Sequence, residues 1–244
     1  MIVVDAGGSD GTMAIAARVA SELTASCGVT FRLDVSARGG RGPTLAAGVD
    51  ASTGPMLLFL HADTMLPDHF DSLVRGALAQ EATLATAFRF RVHRELATPI
   101  VGLGTMEATV HLRSTVVQLP FGDQAMAITR QRFDAVGGFD RRAPIMEDFE
   151  LVQRLRRQRA VGRIVTLGAA AECSGRRWAV MGVARANLLN QAIMVAYVYG
   201  GCGPAEIYEL YYKSNGPRDM ATRALNTTRP GRALAAALKA TGVL

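Results

Sequence analysis

The tripeptide His61-Ala62-Asp63 follows the apolar run of residues 56–60 and precedes a polar segment. A short apolar run bounded by turn residues indicates a buried strand of the kind found in parallel sheets. Ligands bind at the carboxyl ends of strands in open α/β sheets, so Asp63 would lie where such folds do their chemistry. A carboxylate in that place suits a hard divalent cation that also holds a substrate phosphate. The alternative is that Asp63 only caps a helix beginning near Pro67.

A second acidic motif, Glu147-Asp148, follows the apolar tripeptide Pro144-Ile145-Met146 and opens a helical pattern. Acids in the first turn of a helix interact favourably with the helix dipole, which is a purely structural explanation. Adjacent acids after an apolar segment are also how a general base is held at the mouth of a cleft. The motif therefore predicts a helix start and is a candidate for proton transfer.

The first strand, residues 2–4, ends at Asp5 and leads into a glycine-rich turn, residues 6–12. A helix and a second strand over residues 29–35 follow, which predicts a β-turn-α-β unit. The turn contains Gly8, Ser9 and Asp10, but it does not match the G-x-G-x-x-G pattern of dinucleotide-binding proteins. Its two aspartates suit a nucleotide base, a ribose hydroxyl or a metal better than a pyrophosphate. Ser9 or Asp10 can also cap the helix.

The loop of residues 37–43 carries two arginines, Arg38 and Arg41, before a helix predicted to start at Pro43. Arginines in loops near strand ends are natural phosphate ligands, because the guanidinium group donates several hydrogen bonds in a fixed fork. The alternative is an ordinary basic turn.

Strands and helices alternate along the rest of the chain, which predicts an α/β fold. The apolar segment of residues 179–199 is interrupted by polar side chains, so it indicates a buried or interfacial helix and not a membrane span. Further predicted strands are residues 84–92, 125–129 and 164–167, and further predicted helices begin near Pro67, Ile100, Arg130 and Glu147.

Composition indicates a globular protein, since 49% of the 244 residues are hydrophobic and 20% are charged. Three widely spaced cysteines make neither a disulfide framework nor a zinc site. Met1 leads directly into an apolar strand with no signal peptide, so we expect a cytoplasmic protein. Residues 213–244 carry five of the six net positive charges. The nearly neutral remainder argues against nucleic-acid binding, and the basic tail suits an anionic membrane surface, an acidic partner or simple solubility.

An ordered set of motifs extends over residues 2–200. It comprises Val3-Val4-Asp5-Ala6-Gly7-Gly8-Ser9-Asp10-Gly11-Thr12, Leu58-Phe59-Leu60-His61-Ala62-Asp63-Thr64, Pro120-Phe121-Gly122-Asp123-Gln124, Gly137-Gly138-Phe139, Met146-Glu147-Asp148 and Arg176-Arg177-Trp178. In this order the motifs resemble family 2 glycosyltransferases of the GT-A fold. The chain is most similar to the bacterial subgroup labelled arsenosugar-biosynthesis-type glycosyltransferases.

The resemblance implies a Rossmann-like mixed sheet flanked by helices over residues 1–174, and a C-terminal helical extension with a basic tail over residues 175–244. It implies a metal-dependent, inverting transfer of a hexosyl-type sugar from a UDP- or GDP-sugar to an unknown acceptor hydroxyl. The cofactor would be Mn²⁺ or Mg²⁺, bound by Asp63 with His61 at the first position of a DxD-type motif. Peripheral membrane contact is a further expectation.

The resemblance also implies roles for the remaining motifs. Asp148 would deprotonate the acceptor, with Glu147 beside it. The acceptor would be bordered by Gly122, Asp123 and Gln124. The donor would be bound by Asp5, Gly8, Ser9, Asp10, Arg38, Arg41, Arg177 and Trp178.

Three departures from the family pattern affect these expectations. After Arg41 the family usually carries Gln and Asn where this chain has Thr44 and Ala46, which weakens the donor or phosphate contact expected there. The family normally begins with an additional strand before the strand of residues 2–4, so we expect its first strand to be missing here. The alternative explanations are that the start site is wrong, that the chain is a fragment, or that it is a decayed copy. Ser174 replaces the glutamine of the family's Q-x-x-R-W motif, which favours a single transfer over polymer synthesis.

Two other functions compete with glycosyl transfer. A non-catalytic relative would keep the fold and act as a binding or membrane-associated protein. A nucleotidyltransferase would carry a basic glycine-rich loop directly after the first strand, and the acidic turn from Asp5 to Asp10 does not resemble one.

Overall fold

A computed structural model of the chain describes residues 1–27, 30–35, 39–93 and 100–212. The strands are β1 (Ile2–Asp5), β2 (Arg32–Val35), β3 (Met56–Leu58), β4 (Thr64–Met65), β5 (Thr83–Val92), β6 (Ala127–Thr129) and β7 (Arg163–Cys173). The helices are α1 (Thr12–Cys27), α2 (Arg41–Ala51), α3 (Phe70–Leu78), α4 (Leu103–Thr115), α5 (Arg130–Ala135), α6 (Glu147–Arg156), α7 (Arg176–Met181), α8 (Val183–Val198) and α9 (Pro204–Tyr212).

The described strands form two sheets. The larger one has the order β3-β6-β5-β7-β4, in which only the β5–β7 pair is parallel. The smaller one is the parallel pair β1–β2. Helix α2 joins the two, because Gly48 faces Val4 of β1 while Ala46 packs in the core beside Leu57 of β3. This mixed sheet flanked by helices confirms the predicted α/β class.

The core is built around β5, which is buried on both faces over most of its length. Three aromatic rings close the core beside β3: Phe59, Phe133 and Phe139 lie with their centroids 4.7–5.5 Å apart. The C-terminal helices add a second layer, in which Leu189 and Ile193 of α8 pack on Phe149 of α6. The buried face of α8 agrees with the expectation of a packed helix. None of the helices in the described part of the chain is long and apolar enough to cross a membrane.

Several element boundaries differ from the sequence-based expectations. Strand β3 ends at Leu58, although Phe59 N still donates to Met126 O at 2.8 Å. Helix α3 begins at Phe70 and not near Pro67. The segment of residues 179–199 is divided at Gly182, whose φ of 78° lies in the left-handed region that favours glycine, so α7 and α8 are separate helices.

Candidate functional site

The tripeptide His61-Ala62-Asp63 forms the connection between β3 and β4. Thr64 N donates to His61 O at 3.1 Å, which closes a turn, and Ser174 N donates to Asp63 O at 2.9 Å. The Asp63 side chain is exposed at this turn. The residue preceding α3 is His69, and α3 begins without a side-chain cap. The alternative that Asp63 only caps this helix is therefore wrong, and its carboxylate is available to a ligand.

Asp148 is held at the first turn of α6 by two backbone N–H groups. Gly122 N donates to Asp148 Oδ2 at 2.7 Å, and Phe149 N donates to Asp148 Oδ1 at 2.7 Å. Gly122 begins a 3₁₀ turn between α4 and β6. Two donors on separate segments fix the orientation of the carboxylate, and the positive end of the helix dipole favours its charge. Asp148 is a preorganised anionic group at the surface of the site.

The His61 ring lies directly against the backbone of Gly122. A Cβ added at Gly122 would lie 2.6 Å from His61 Nε2 and 3.1 Å from Asp148 Oδ2. The absence of a side chain at this position is therefore what lets His61 and Asp148 approach each other. Burial lowers the pKa of His61, Arg41 adds to the lowering, and the acids around the ring oppose it.

Replacing Gly122 with alanine is expected to displace the His61 ring and to lower the free energy of unfolding by about 1–3 kcal/mol, since the added methyl group has no room. Chemical denaturation measures the stability, and the imidazole NMR resonances report the displacement. Gly76→Ala in α3 is the control, because a Cβ there meets nothing within 4 Å. Equal effects of the two substitutions would contradict this account of Gly122.

Glu147 is completely buried beside Arg41. Arg41 Nε lies 3.0 Å from Glu147 Oε1, and the Arg41 side chain is 35% exposed while that of Glu147 is 0% exposed. The contact is an ion pair without a well-aligned hydrogen bond. Burial raises the pKa of Glu147 to about 7, with a further rise from Asp148 that Arg41 opposes. Burial lowers the pKa of Arg41, but the carboxylates of Asp148 and Glu147 outweigh it and raise that pKa overall.

Two glycines allow the loop before α2 to bring Arg41 to this position. A Cβ on Gly42 would lie 2.1 Å from Ala143 O, and one on Gly40 would lie 2.5 Å from Pro144 Cβ. Gly40 also has a φ of 103°. Arg41 N then donates to Pro144 O at 2.9 Å, which ties the start of α2 to the segment before Glu147. Arg38 of the same sequence motif lies outside the described residues.

The Gly122-Asp123-Gln124 segment carries two polar side chains, of which Gln124 is hydrogen-bonded and Asp123 has a buried oxygen that is unpaired among the described residues. Gln124 is fully buried, where Nε2 donates to Phe88 O at 2.9 Å and Oε1 accepts from Ser114 Oγ at 2.9 Å. Its amide is therefore used inside the protein. Asp123 Oδ1 is buried, and none of the described residues gives it a hydrogen-bond partner. Burial raises the pKa of Asp123, and Arg113 is the strongest of the charges that oppose the rise.

Arg177 and Trp178 face different surroundings. The Arg177 guanidinium lies 4.6 Å from the centre of the Tyr211 ring of α9, a cation–π contact. The Trp178 indole packs edge-on against Phe90, with centroids 5.8 Å apart, and its Nε1 is buried and unpaired among the described residues. Arg177 therefore packs on α9 and its charge interacts with that of Arg41, whereas Trp178 packs against β5.

The first turn is organised by its own aspartates. Asp5 Oδ1 accepts hydrogen bonds from the backbone N–H groups of Gly7 and Gly8, both at 2.7 Å. Asp10 Oδ1 accepts from Thr12 N at 3.1 Å at the start of α1, and the pKa of Asp10 is lowered first by the Thr12 side chain and then by this backbone contact. Ser9 is exposed beside it. These residues shape the turn at the end of β1, in the smaller sheet.

A metal ion would find few protein ligands here. Among the described residues, no three His, Cys, Asp or Glu side chains are grouped so that they could hold a metal ion. Mg²⁺ and similar hard cations are commonly bound by one or two carboxylates together with substrate phosphates. The exposed Asp63 carboxylate fits that arrangement. His61 Nε2 faces Gly122.

Two residues of the site had no signal in the sequence. Arg113 of α4 lies over the Phe121 ring at 3.7 Å and interacts with the charges of Asp123 and Asp148. Tyr212 of α9 interacts electrostatically with Arg41, Glu147 and Arg177. Neither belongs to a motif.

Comparison with known proteins found no matching family model and no match among curated proteins. Solved structures do match. A mannosyltransferase from Pyrobaculum calidifontis, in complex with GDP-Man and Mn²⁺, is 18% identical with a TM-score of 0.58, over 100% of this chain and 71% of that one. S. aureus TarS residues 1–349 in complex with UDP-GlcNAc is 12% identical with a TM-score of 0.54, over 98% of this chain and 70% of that one.

Another structure of S. aureus TarS is 13% identical with a TM-score of 0.52, over 93% of this chain and 40% of that one. Identities this low establish architecture and leave the activity open. The likeness extends over nearly the whole chain, so it includes the strands and loops that carry His61, Asp148 and Arg41. The chain has the mixed α/β fold of GT-A glycosyltransferases, as its sequence predicted.

Proposed function

We propose that the protein is a metal-dependent, inverting glycosyltransferase that moves a sugar from a UDP- or GDP-sugar to an acceptor hydroxyl. The main support is the position of Asp148, whose carboxylate is fixed by Gly122 N and Phe149 N beside His61 within a GT-A fold. The finer assignments, to family 2 and to the arsenosugar-biosynthesis-type subgroup with hexosyl donors, rest on the motifs alone.

Asp148 is the base of this mechanism. An inverting transfer needs one carboxylate that accepts the proton of the acceptor hydroxyl while the oxygen attacks the sugar from the side opposite the leaving group. Both Asp148 oxygens already accept backbone hydrogen bonds, so the carboxylate is oriented without cost at the moment of reaction. Asp123 and Gly122 border the space in front of it, where the acceptor would lie.

Cations at the same site stabilise the departing nucleoside diphosphate. The Arg41 side chain is 35% exposed, and Arg177, which lies over the Tyr211 ring, interacts with the charge of Arg41. Both can donate to phosphate oxygens in the forked geometry that arginine provides. Asp63, with His61, would hold Mn²⁺ or Mg²⁺, which supplies positive charge to the two phosphates as negative charge develops on them.

The turn from Asp5 to Asp10 is the proposed pocket for the nucleotide base. Gly8 and Ser9 are exposed, and Asp5 keeps a second carboxylate oxygen beyond its two backbone contacts. The GDP-Man and UDP-GlcNAc complexes of the structural neighbours make both bases reasonable donors to test. Contact with a membrane and a cytoplasmic location stay predictions.

A non-catalytic relative is the second candidate. It is favoured by the separation of the β1–β2 pair from the larger sheet, because the proposed base pocket follows β1 while His61 and Asp63 follow β3 of the larger sheet. Calorimetric titration with UDP and with GDP, each with and without Mn²⁺, tests this candidate. Mn²⁺-dependent binding of either nucleotide supports a working donor site, and binding of neither supports the non-catalytic relative.

Asp63→Ala is expected to abolish the part of nucleotide affinity that depends on Mn²⁺, because the exposed carboxylate is the main protein ligand available to the ion. The measurement is the ratio of dissociation constants with and without Mn²⁺. Asp68→Ala removes another exposed carboxylate five residues away and should leave that ratio unchanged. Retention of the Mn²⁺ effect in Asp63→Ala would show that the ion is held elsewhere.

A further inference from the structure

A large cavity lies against α6, where it is lined by Phe149, Glu150 and Gln153 and not by Asp148. It has a volume of about 1090 Å³ and is open to solvent. Its walls come from three places in the chain: the residues after α4, α6 with the turn that follows it, and the end of α8 with the start of α9. We call it the arginine cleft, after Arg156, Arg157 and Arg159 in its lining.

The arginine cleft is lined by positively charged side chains that are at least partly exposed to solvent. Arg157 and Arg159 are exposed and Arg156 is half-buried. No carboxylate in the described part of the chain forms an ion pair with any of the three, and Arg156 Nη1 donates only to Gln153 Oε1 at 2.8 Å. The one acid in the lining, Glu150, accepts a hydrogen bond from Tyr197 at 2.7 Å. A net charge of about +2 thus faces the cavity.

The other part of the lining is apolar and exposed. Val116 at the end of α4 is 69% exposed, and Val117 and Val198 also line the cavity. Tyr199, next to Val198, is 84% exposed. Further exposed apolar side chains lie one helical turn or less away along the same segments, namely Leu112, Val161 and Val195. Grouped apolar side chains beside cations are typical of surfaces that bind another molecule.

We propose that the arginine cleft docks the protein on an anionic lipid surface. Arginines near an anionic leaflet are attracted to its phosphates, and apolar and aromatic side chains enter the boundary between headgroups and acyl chains. The cleft offers both features side by side.

Two other occupants fit the charges poorly. The tail of residues 213–244 has a net charge of +5, so it would bring like charge into a positive cleft. A second copy of the chain, packed through the same surface, would place arginines against arginines. An anionic surface removes this repulsion and buries the apolar side chains.

Co-sedimentation of the full chain with vesicles tests the proposal. Vesicles of phosphatidylcholine with phosphatidylglycerol should bind the protein, and vesicles of phosphatidylcholine alone should not. Each basic residue near an anionic surface contributes roughly a fivefold change in partitioning, so the triple substitution Arg156→Ala, Arg157→Ala, Arg159→Ala should reduce it roughly a hundredfold. The tail is intact in this variant, so its contribution is the same as in the wild type.

A charge-matched control separates the cleft from general electrostatics. Arg18, Arg75 and Arg142 are exposed on other segments, and replacing all three with alanine makes the same change in net charge. The control should keep partitioning within about threefold of the wild type, since exposed charges beyond a Debye length are largely screened. Equal losses in the two triple variants, or no binding of the wild type, would overturn the proposal.

The apolar component has its own test. Val116→Ser with Val198→Ser keeps every charge and should lower partitioning about tenfold or more, because two exposed side chains lose apolar area that the bilayer would bury. An unchanged value, or release of the protein by millimolar inorganic phosphate, would mean that the arginines bind a free anion and not a lipid surface. Binding of acidic polypeptide in place of vesicles would also overturn the proposal.

Discussion

Asp148→Asn is expected to lower the turnover of the nucleotide-sugar by about a thousandfold, while the nucleotide still binds. A positioned general base contributes about 10²–10⁴ to the rate of a proton transfer, and asparagine cannot accept the proton. The side chain keeps its size, although its NH₂ group can no longer accept one of the two backbone hydrogen bonds that hold Asp148. The measurement is nucleoside diphosphate release from the sugar donor whose nucleotide binds in calorimetry.

The control is Asp140→Asn. Asp140 also accepts a backbone hydrogen bond, from Arg142 N at 2.9 Å, but it lies in the exposed turn before Ala143. Its substitution should leave turnover within about twofold, since it removes no group near the proposed acceptor. Turnover of Asp148→Asn within tenfold of the wild type would exclude Asp148 as the base. A simultaneous loss of nucleotide binding would mean that Asp148 supports the donor site instead.

The chain positions of His61, Asp63 and Asp148 could be predicted because each follows a local signal. The apolar run of residues 56–60 and the acids at a helix start are visible in any window of the sequence. Their meeting could not be predicted from spacing, since it depends on Gly122, which lies about 60 residues after His61 and holds Asp148 by one N–H group. Such a contact arises only when β3, the 3₁₀ turn and α6 come together.

The surroundings of the site were less accessible to prediction. Arg113 and Tyr212 lie on α4 and α9, where neither stands at a special position of the pattern. Ile15, Val19 and Leu23 share one apolar face of α1, yet their side chains are 57%, 37% and 36% exposed. Periodicity identifies the helix but does not say which neighbour covers it. For the same reason the break at Gly182, set by a positive φ, was invisible within a continuous apolar run.

Glu147 has an energetic cost that the sequence did not reveal. It is fully buried, its two oxygens have no hydrogen-bond donor among the described residues, and its pKa is raised by burial to about 7. Between its ordinary value of 4.5 and about 7 the folded chain holds a proton that the unfolded chain has released. The free energy of unfolding therefore falls as pH rises through this window, by about 3 kcal/mol in total.

Glu147→Gln should remove this dependence on pH. The amide matches the protonated acid in shape, so variant and wild type should be about equally stable near pH 4.5. As pH rises to about 7, the free energy of unfolding of the wild type should fall below that of the variant, by about 3 kcal/mol. Urea denaturation of both proteins across this range measures the difference, and Glu150→Gln serves as a control for removing an acid from the same turn.

The direction of the effect separates two roles for Glu147. If the ion pair with Arg41 were a net source of stability, Glu147→Gln would be less stable than the wild type at neutral pH, because Arg41 would lose its nearest counter-charge. If Glu147→Gln is more stable but no longer transfers sugar, the buried acid lowers the stability of the fold and is needed for the reaction. Glu147 would then hold Arg41 beside Asp148 in the orientation that the leaving diphosphate needs.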